Sequence, residues 1–451
     1  MPENNFNLYI SLVKEQALAK KLKAYTQTFG CAQNEADSEI IRGICVEMGY
    51  LLTNEEKDAD LIIFNTCAIR ETAEQRVFGR LGEVSHFKKA NKDLQIILCG
   101  CMSTTKKVRD KVKKSYPYVN LLISNNKIDT LPKALYFSLI ENKKHFELPA
   151  EEYPILSAMP RIRNGKYKTT VSITYGCNNF CSYCIVPYVR GRERSRDFNE
   201  IYNEVKGLVD SGHKDITLLG QNVNSYAGGC SFPTLLEKLA NITGDFWLRF
   251  MSSHPKDASK ELFDVMARNK NIAKHLHLPF QSGSDRILTL MNRKYTINEY
   301  IEKINYARSV CQNLTVTSDV IVGFSGETLE DYNQTLDLIK NLRFDALFTF
   351  IYSPRDGTKA AELIDNTPRA EKQRRFEYLL NLQNNISNEC HKAHIGKTLT
   401  AFVEERNEKG MLAARTDGGR LVLFDGSDDL IGKFTNLTIT GNTSWAFKGS
   451  M

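Results

Sequence analysis

The sequence has few tryptophans, no long apolar run and no strong excess of one charge. Of its 451 residues 2 are tryptophan, and 60 basic against 53 acidic residues leave a net charge of +7. With 42% apolar and 25% charged residues, the composition is that of a folded globular chain and excludes disorder as the main state. At about 150 residues per domain, the length predicts roughly three domains with their own cores.

Targeting and membrane-spanning patterns are also missing. The first residues do not combine a basic start, a continuous apolar stretch and a small-residue cleavage site. The most apolar windows, LQIILCGC and VTSDVIVGF, are far shorter than the roughly 18 residues that a spanning helix needs. We therefore expect a cytoplasmic protein without a membrane partner. In that reducing compartment, cysteines in motifs indicate metal binding or catalysis.

The chain has 11 cysteines, which are not dense enough for a disulfide framework. Three form the run Cys177-x3-Cys181-x2-Cys184, directly after the apolar stretch TTVSITY. Three thiolates on one loop can hold three irons of a cubane cluster and leave the fourth iron open to a ligand. Structural zinc is the alternative, but it normally has four ligands in two separated pairs, and no second pair lies at the usual spacing.

Residues 21–146 alternate short apolar runs with amphipathic stretches, which predicts parallel strands joined by crossover helices. We expect strands at KLKAYTQTF, DLIIFNT and LQIILCG, and a helix over NEADSEIIRGICVEMGY whose capping residues lie from Asn34 to Asp37. Cys31, Cys67 and Cys101 each lie just beyond one of these strands. Because carboxyl ends of parallel strands meet at one edge of a sheet, we expect these cysteines to converge.

Burial as small hydrophobic residues is the alternative for any cysteine, and we favour it, or a surface position, for five of them. These five are Cys45, Cys99, Cys230, Cys311 and Cys390.

The rest of the chain divides at a proline-containing linker, Glu147 to Pro160. In residues 163–393, six strand-like runs each precede a helical stretch, which predicts a partial (βα)6 barrel with its site at the carboxyl ends of the strands. Residues 394–451 contain about five short strands with turn signals, typical of a small β-barrel of the oligonucleotide-binding kind. The expected fold class is α/β, with a parallel N-terminal domain, the partial barrel and the small β-barrel.

The loop from Cys177 to Cys184, with Tyr183 before its last cysteine, resembles the signature of radical S-adenosylmethionine enzymes. Together with the segments around Cys31, Cys67 and Cys101, it looks like the methylthiotransferase family over about residues 21–451. The resemblance implies an N-terminal domain with an auxiliary 4Fe-4S cluster on those three cysteines, a radical core with a second 4Fe-4S cluster, and a C-terminal TRAM barrel. It also implies two S-adenosylmethionines, one for methylation at the auxiliary cluster and one that yields a 5′-deoxyadenosyl radical.

Two segments are similar to the isopentenyladenosine branch of that family. They are Leu219-Gly-Gln221-Asn222-Val-Asn224-Ser-Tyr226 and Ile69-Arg70-Glu71. The resemblance then implies methylthiolation at C2 of N6-isopentenyladenosine next to the tRNA anticodon, at position 37. Two alternatives stay open: methylthiolation of N6-threonylcarbamoyladenosine, and an RNA-binding protein whose clusters have no catalytic role.

Small and polar residues at the ends of barrel strands suit hydrogen bonds to a ribose, a carboxylate and an adenine edge. From the resemblance, the expected S-adenosylmethionine contacts are Tyr183, Gln221, Asn222, Arg249, Ser252, Gln281 and Ser318. We expect His254 and His277 to be structural, and we assign no catalytic residue.

The implied partners are a tRNA anticodon stem-loop and an electron donor, with the enzyme as a monomer. Basic residues occur in two runs, Lys106, Lys107, Arg109, Lys111, Lys113 and Lys114, and then Arg190, Arg192, Arg194 and Arg196. Such runs are usually solvated faces, but the second adjoins the cysteine loop, where phosphate contacts would orient a substrate. In the last domain Phe402, Phe424 and Trp445 are candidates for stacking on bases, although we favour core packing for each.

Overall fold

The computed structural model describes residues 6–68, 71–141, 145–147, 159–443 and 445–451. Ile69, Arg70 and most of the expected linker lie outside this part of the chain. The described residues form two compact units. Unit 1 contains those up to Asn164 with Tyr175–Asn178 and Cys184–Arg194, and unit 2 contains Gly165–Thr174, Asn179–Tyr183 and Ser195–Met451. Among the described residues, no helix has the length and apolar character to cross a membrane.

Unit 1 is built on a parallel sheet. Its strands are β1 (Lys23–Phe29), β2 (Leu51–Leu52), β3 (Leu61–Thr66), β4 (Gln95–Gly100), β5 (Leu121–Ser124) and β6 (His145–Glu147). Its first helices are α1 (Phe6–Lys20), α2 (Ala32–Glu47), α3 (Glu71–Ala90), α4 (Lys106–Ser115) and α5 (Leu131–Glu141). The strand order is β2-β1-β3-β4-β5-β6. Every residue of β3 and β4 is buried, as expected for central strands covered on both faces.

Helix α2 confirms the predicted apolar stripe, since Ile40, Ile44 and Met48 are all buried. Its start differs from the prediction. The helix begins at Ala32, and Cys31 is its N-cap residue. The Asn34 side chain, in the first turn, accepts a hydrogen bond from the Cys31 backbone amide at 3.3 Å. This hydrogen bond fixes the backbone of a candidate ligand.

The next part of the chain contains the partial barrel. Its strands are β7 (Lys168–Ser172), β8 (Thr174–Tyr175), β9 (Arg194–Ser195), β10 (Asp215–Leu219), β11 (Trp247–Phe250), β12 (His275–His277), β13 (Thr315–Val322) and β14 (Ala346–Ile351). Helix α6 (Val186–Arg190) belongs to unit 1. The helices of the barrel are α7 (Phe198–Asp210), α8 (Phe232–Ala240), α9 (Lys260–Arg268), α10 (Asp285–Leu290), α11 (Ile297–Val310), α12 (Leu329–Leu342) and α13 (Arg369–Lys392).

The six predicted barrel strands are all present. Strands β7, β10 and β11 form one parallel sheet, and β12, β13 and β14 form another. A single parallel bridge between Leu248 and Ile272 joins the two. Helices pack on the outer face of these strands around one large apolar core, which confirms the partial barrel.

The C-terminal residues form the predicted closed β-barrel. Its strands are β15 (Thr398–Arg406), β16 (Leu412–Thr416), β17 (Leu421–Phe424), β18 (Phe434–Asn442) and β19 (Ala446–Ser450), in the order β15-β16-β17-β19-β18. Phe402 and Phe424 are fully buried in unit 2, so the favoured packing role is confirmed for both. Trp445 is instead 82% exposed and is free to stack on a base.

Candidate metal centres

The structure brings three sequence-distant cysteines to one edge of the unit 1 sheet. These strand-end cysteines are Cys31, Cys67 and Cys101. In the register of the sheet, Thr66 at the end of β3 is level with Phe29 of β1 and with Gly100 of β4. Each strand-end cysteine follows one of these residues within two positions. The convergence that the sequence predicted is therefore a direct result of three adjacent parallel strands.

The strand-end thiols are close enough to influence one another electrostatically. Burial, with Cys67 and Cys31 adding to it, raises the pKa of the Cys101 thiol to about 12, and Arg190 acts in the opposite direction. Cys67 is buried as well, whereas Cys31 is exposed. A thiol with so high a pKa stays protonated when free, and binding of a metal displaces its proton. Metal binding at Cys101 would therefore release the proton of that thiol.

A buried arginine provides positive charge next to this set. Arg190, at the end of α6, is 4% exposed and donates to the Asp37 carboxylate at 2.9 Å. Burial lowers the pKa of Arg190, but Asp37, Cys101 and Cys31 together raise it above the usual value. A guanidinium fixed here would offset the negative charge of a cluster bound through thiolates.

Apolar side chains surround Cys101. Ile185 and Val189 form a buried cluster with it, and Ala68 packs against the same cluster. Water is largely kept from this thiolate position, which strengthens electrostatic interactions there.

Hydrogen bonds between asparagines hold the loops that carry the strand-end cysteines. Asn34 donates to Asn65 Oδ1 and to the Thr66 carbonyl, both at 3.2 Å, and Asn65 donates to the Asn34 carbonyl at 2.8 Å. Gly100 has φ +95°, and a Cβ atom there would lie 2.4 Å from Asn65 Oδ1. Glycine is therefore needed for this close approach. Asn34 was predicted only as a helix-capping residue and Asn65 was not predicted, although each lies within three residues of a candidate ligand.

The second set lies in the loop that follows β8. These loop cysteines are Cys177, Cys181 and Cys184. Cys177 and Cys181 are buried and Cys184 is half-buried. Before them, Gly176 has φ +76°, and a Cβ atom would lie 2.2 Å from the Arg192 carbonyl. The next amide, of Cys177, donates to the Gly191 carbonyl at 3.2 Å, so glycine lets this loop close tightly.

Arg293 was not predicted, and it contacts a loop cysteine. Its Nη1 lies 3.5 Å from Cys181 Sγ, and its Nη2 donates to the Pro279 carbonyl at 2.7 Å. Burial lowers the pKa of Arg293, but Tyr295, Tyr183 and Cys181 raise it well above the usual value. A charged donor at this distance stabilises a thiolate. No motif surrounds Arg293 in the sequence, so pattern reading had no signal for it.

The backbone of the same loop is anchored to the barrel. Asn292 Nδ2 donates to the Phe180 carbonyl at 2.9 Å, and the Ser182 amide donates to the Met291 carbonyl at 2.9 Å. Phe180 has φ +46°, a strained value for a residue with a side chain. Strain of this kind is typical of functional loops whose surroundings fix them in place.

The thiols of both sets are the donor type that iron–sulfur clusters bind. Within the part of the chain that the structure describes, no three His, Cys, Asp or Glu side chains are grouped so as to hold one metal ion. A cubane cluster places its thiolates farther apart, because each binds a different iron. Each set supplies three thiols, the number that binds three irons of such a cluster, and a buried arginine lies close to each set.

Five of the seven expected S-adenosylmethionine contacts lie at or beyond the carboxyl end of a strand or on the cysteine loop. They are Tyr183, Gln221, Asn222, Ser252 and Gln281. Asn222 is buried and donates to Asp257 at 2.7 Å. Ser252 and Gln281 both have φ +68°, which adds two strained positions to this end of the barrel.

The other two residues have different surroundings. The Ser318 hydroxyl is fully buried, donates to the Leu278 carbonyl at 2.8 Å and accepts from the Phe280 amide at 2.9 Å. Arg249 donates from Nε to Asp215 and from its terminal nitrogens to the carbonyls of β16 and its turn, at 2.7 and 2.9 Å. Both side chains join parts of the fold, so the cofactor contacts proposed below do not include them.

Two arginines of the second basic run do not contribute to the phosphate-binding surface that the sequence suggested. Arg190 is buried against Asp37, and Arg196 is 2% exposed and donates to Glu204 at 2.7 Å. Of these four arginines, only Arg192 has an exposed side chain. The first run lies on α4, where the lysines are exposed and Val108 and Val112 face the core.

Three segments of the chain match known families. Residues 23–124 match the Uncharacterized protein family UPF0004, residues 171–339 the Radical SAM superfamily, and residues 392–450 the TRAM domain. The tRNA-2-methylthio-N(6)-dimethylallyladenosine synthase of Acetivibrio thermocellus is 42% identical over 445 residues, which cover 97% of this chain and 92% of that protein. The enzyme of the same name from Bacillus subtilis is 41% identical over 437 residues, or 95% of this chain and 86% of that protein.

A solved structure shares the fold. The radical S-adenosylmethionine methyltransferase TsrM from Kitasatospora setae, determined with cobalamin and a 4Fe-4S cluster bound, aligns with a TM-score of 0.56 over 76% of this chain and 77% of that one. At 14% identity, the likeness concerns the fold alone. The identity over nearly the whole length and the three matched segments show that the chain belongs to the radical S-adenosylmethionine methylthiotransferase family, in the branch of the tRNA-2-methylthio-N(6)-dimethylallyladenosine synthases.

Proposed function

We propose that this chain methylthiolates C2 of N6-isopentenyladenosine at tRNA position 37, next to the anticodon, with two S-adenosylmethionines and two 4Fe-4S clusters. The observation that carries the proposal is the convergence of the strand-end cysteines in a chain that also has the loop cysteines. Radical formation needs one set of three thiolates, so a second set requires a second role. Relatives 42% identical carry the name of this activity.

The two sets of cysteines would each hold one cluster and leave one iron open. When bound, these clusters and S-adenosylmethionine supply the methylthio group and a 5′-deoxyadenosyl radical that removes the hydrogen from C2. The residues that would contact S-adenosylmethionine are Tyr183, Gln221, Asn222, Ser252 and Gln281.

The residues of the chain itself would offset the charge of the clusters, exclude water and orient the ligands. Arg190 offsets negative charge next to the strand-end cysteines, and Ile185 and Val189 keep water from Cys101. On the other set, Arg293 places a charged donor 3.5 Å from Cys181 Sγ. Keeping water from a radical reaction prevents side reactions, which is the general contribution of a protein to cofactor chemistry.

The substrate would be the tRNA anticodon stem-loop. An adenosine in an unpaired loop is extruded into a pocket at lower cost than one in a duplex. The exposed lysines of α4 and the exposed Trp445 offer phosphate and stacking contacts. We propose a monomeric cytoplasmic enzyme that receives electrons from a donor protein.

Modified nucleosides in tRNA from a deletion strain test the substrate. We expect N6-isopentenyladenosine to accumulate and its methylthio form to disappear, as measured by mass spectrometry. Loss of the methylthio form of N6-threonylcarbamoyladenosine would instead identify the other branch of the family. If neither nucleoside changes, methylthiolation is rejected in favour of an RNA-binding role.

Anaerobic reconstitution tests the cofactors. We expect about eight irons per chain, as two 4Fe-4S clusters require, and cleavage of S-adenosylmethionine on reduction. About four irons, or intact S-adenosylmethionine, would contradict the two-cluster enzyme.

A further inference from the structure

The last strand of the partial barrel carries two exposed aromatic side chains. On β14, Phe348 is 55% exposed and Phe350 is 38% exposed. Because they are two residues apart on one strand, they point to the same face. Neighbouring exposed aromatic residues form an apolar patch, and such patches commonly mark binding sites.

The register with β13 identifies that face. On β13, Val316, Val320 and Val322 belong to the core under the helices, so the alternate residues face the inside of the open barrel. Phe348 is paired with Asp319, and Phe350 with Ile321. Both phenylalanines therefore line the concave face of the barrel.

Ring contacts connect the end of β14 to the cysteine loop. Tyr352, directly after the strand, packs against Phe324 with ring centroids 4.9 Å apart, and Phe324 packs against Tyr183 at 6.5 Å. Tyr183 adjoins the last of the loop cysteines. The aromatic patch is thus at the end of the barrel where the chemistry takes place.

The charges around the patch favour one kind of ligand. The inward-facing positions of β14 are Ala346, Phe348 and Phe350, which are all uncharged. The nearest acidic group in the register is Asp319, and its side chain is 28% exposed and 3.5 Å from His277 Nε2. An isopentenyl group is branched and apolar, whereas a threonylcarbamoyl group carries a carboxylate that Asp319 would repel.

We propose that Phe348 and Phe350 bind the isopentenyl group of the substrate adenosine and that Asp319 excludes an adenosine with a carboxylate on its N6 substituent. The inference rests on the proposed function and assigns its specificity to one strand. In adenine, C2 and C6 flank N1 on the same edge. A substituent on N6 that is held at β14 therefore keeps C2 at the same end of the barrel, toward the cysteine loop.

The test uses the full chain and two synthetic anticodon stem-loops, one with N6-isopentenyladenosine at position 37 and one with plain adenosine. The variants are Phe348→Ala, Phe350→Ala and the double substitution. Tyr378→Ala is the matched control, because Tyr378 is a 56% exposed aromatic residue on α13, and α13 packs on the core-facing side of β14 and not on the inward face. Binding is followed by fluorescence anisotropy, and thermal unfolding confirms that each variant is folded.

We expect the double variant to bind the isopentenyl RNA about tenfold more weakly and the plain RNA as the wild type does, since removal of apolar contacts acts on the apolar group alone. The Tyr378→Ala control should match the wild type on both RNAs. Equal weakening for the two RNAs, or no weakening for either, would overturn the inference. A third stem-loop, which carries N6-threonylcarbamoyladenosine, tests Asp319. The Asp319→Asn variant should bind it more tightly than the wild type does, and no improvement would refute the excluding role.

The wild-type enzyme separates this inference from the proposed function. If reconstituted wild type does not methylthiolate the isopentenyl stem-loop, the proposed function itself fails. If it does, and the phenylalanine variants keep full discrimination between the two RNAs, the proposed role of β14 alone is wrong.

Discussion

The strand-end cysteines and the loop cysteines are held in place in different ways. The loop cysteines lie within residues 177–184, so their spacing is a property of the local sequence. The strand-end cysteines are 36 and 34 residues apart in sequence and meet because β1, β3 and β4 are neighbours. A local motif needs its loop to close, whereas the scattered set exists only while the sheet is folded.

The buried arginines beside these two sets, Arg190 and Arg293, also differ in whether a residue distant in sequence balances their charge. Arg190 is neutralised by Asp37, which lies 153 residues away in sequence. Arg293 donates to carbonyl and hydroxyl oxygens and to Cys181, and among the described residues it forms no ion pair with a carboxylate. Tyr295, Tyr183 and Cys181 together favour the charged form of its guanidinium.

Substitution of a loop cysteine should have the largest effect. With Cys181→Ala, we expect loss of about four of about eight irons and loss of both S-adenosylmethionine cleavage and methylthiolation, because radical formation depends on that cluster. Iron content and 5′-deoxyadenosine release measure this. Cys230→Ser is the matched control, since Cys230 is a half-buried cysteine outside both sets. Full cleavage activity in Cys181→Ala would contradict the assignment.

Substitution of all three strand-end cysteines should separate the two halves of the reaction. The triple alanine variant should also lose about four irons and all methylthiolation, yet continue to cleave S-adenosylmethionine. The same two assays compare it with Cys181→Ala. Unchanged iron content would show that these cysteines hold no cluster.

The buried Arg190–Asp37 ion pair should contribute more to stability than Arg293 does. Arg190→Met leaves the buried Asp37 carboxylate without its counter-charge, and we expect a loss of about 3–5 kcal/mol in the free energy of unfolding. Arg293→Met leaves no buried carboxylate without a counter-charge. We therefore expect a smaller loss of about 1–3 kcal/mol in the free energy of unfolding, through lost hydrogen bonds. Urea unfolding measures both. Adding Asp37→Leu to Arg190→Met should recover much of the loss, and failure to recover would contradict the electrostatic explanation.

Acid should weaken unit 2 through its buried histidines. Burial, with nearby arginine and lysine charges, lowers the pKa of His254 to about 2 and of His275 to about 3. Below about pH 6.5 the unfolded chain protonates these rings while the folded chain does not, so stability falls as the pH falls. The slope is about 1.4 kcal/mol per pH unit for each histidine.

Hydrogen exchange between pH 6.5 and 4.5 checks this. Amides of unit 2 should lose protection first, because His86, the unit 1 histidine whose side chain is described, is exposed. His254→Asn should flatten the slope, since an amide oxygen can replace Nδ1 in accepting from the Lys256 amide at 3.1 Å. An unchanged slope would rule out His254 as the cause.

The smallest effect should come from the C-terminal barrel. Trp445→Ala should weaken binding of the anticodon stem-loop several-fold, about 1 kcal/mol for the loss of one stacked base, without a change in melting temperature. Phe424→Ala is the contrast, because that ring is buried and its removal should destabilise the fold by about 3 kcal/mol or more. Unchanged RNA affinity in Trp445→Ala would show that the indole does not contact the RNA.

Much of the fold followed from hydrophobic patterns. The strands β1, β3 and β4, the six barrel strands and the five strands of the small barrel all lie in the predicted runs. The short strands β2, β5 and β6 were missed, because two to four residues carry too little pattern. Helix α1 was also missed, although Ile10, Val13 and Ala17 have helical spacing and are buried.

In the candidate sites too, the features that depend on local spacing were predictable and those that depend on tertiary contacts were not. Cysteine spacing and strand-end positions were enough to predict both sets of candidate ligands. The contacts of the arginines were not predictable, since Arg190 stands in a basic run that looks solvated and Arg293 follows an ordinary helix. A charged residue pairs with whatever the fold places beside it, and that partner can be anywhere in the chain.

By itself, the sequence determined the two sets of cysteines, the barrel pattern and the resemblance to the methylthiotransferase family, because these depend on local spacing and periodicity. The tertiary structure decided which charges are buried and which aromatic rings face solvent. It turned Arg190 and Arg196 inward, left Trp445 outside, and placed Phe348 and Phe350 on the inner face of the barrel. Burial depends on packing between distant segments, and local composition does not contain that information.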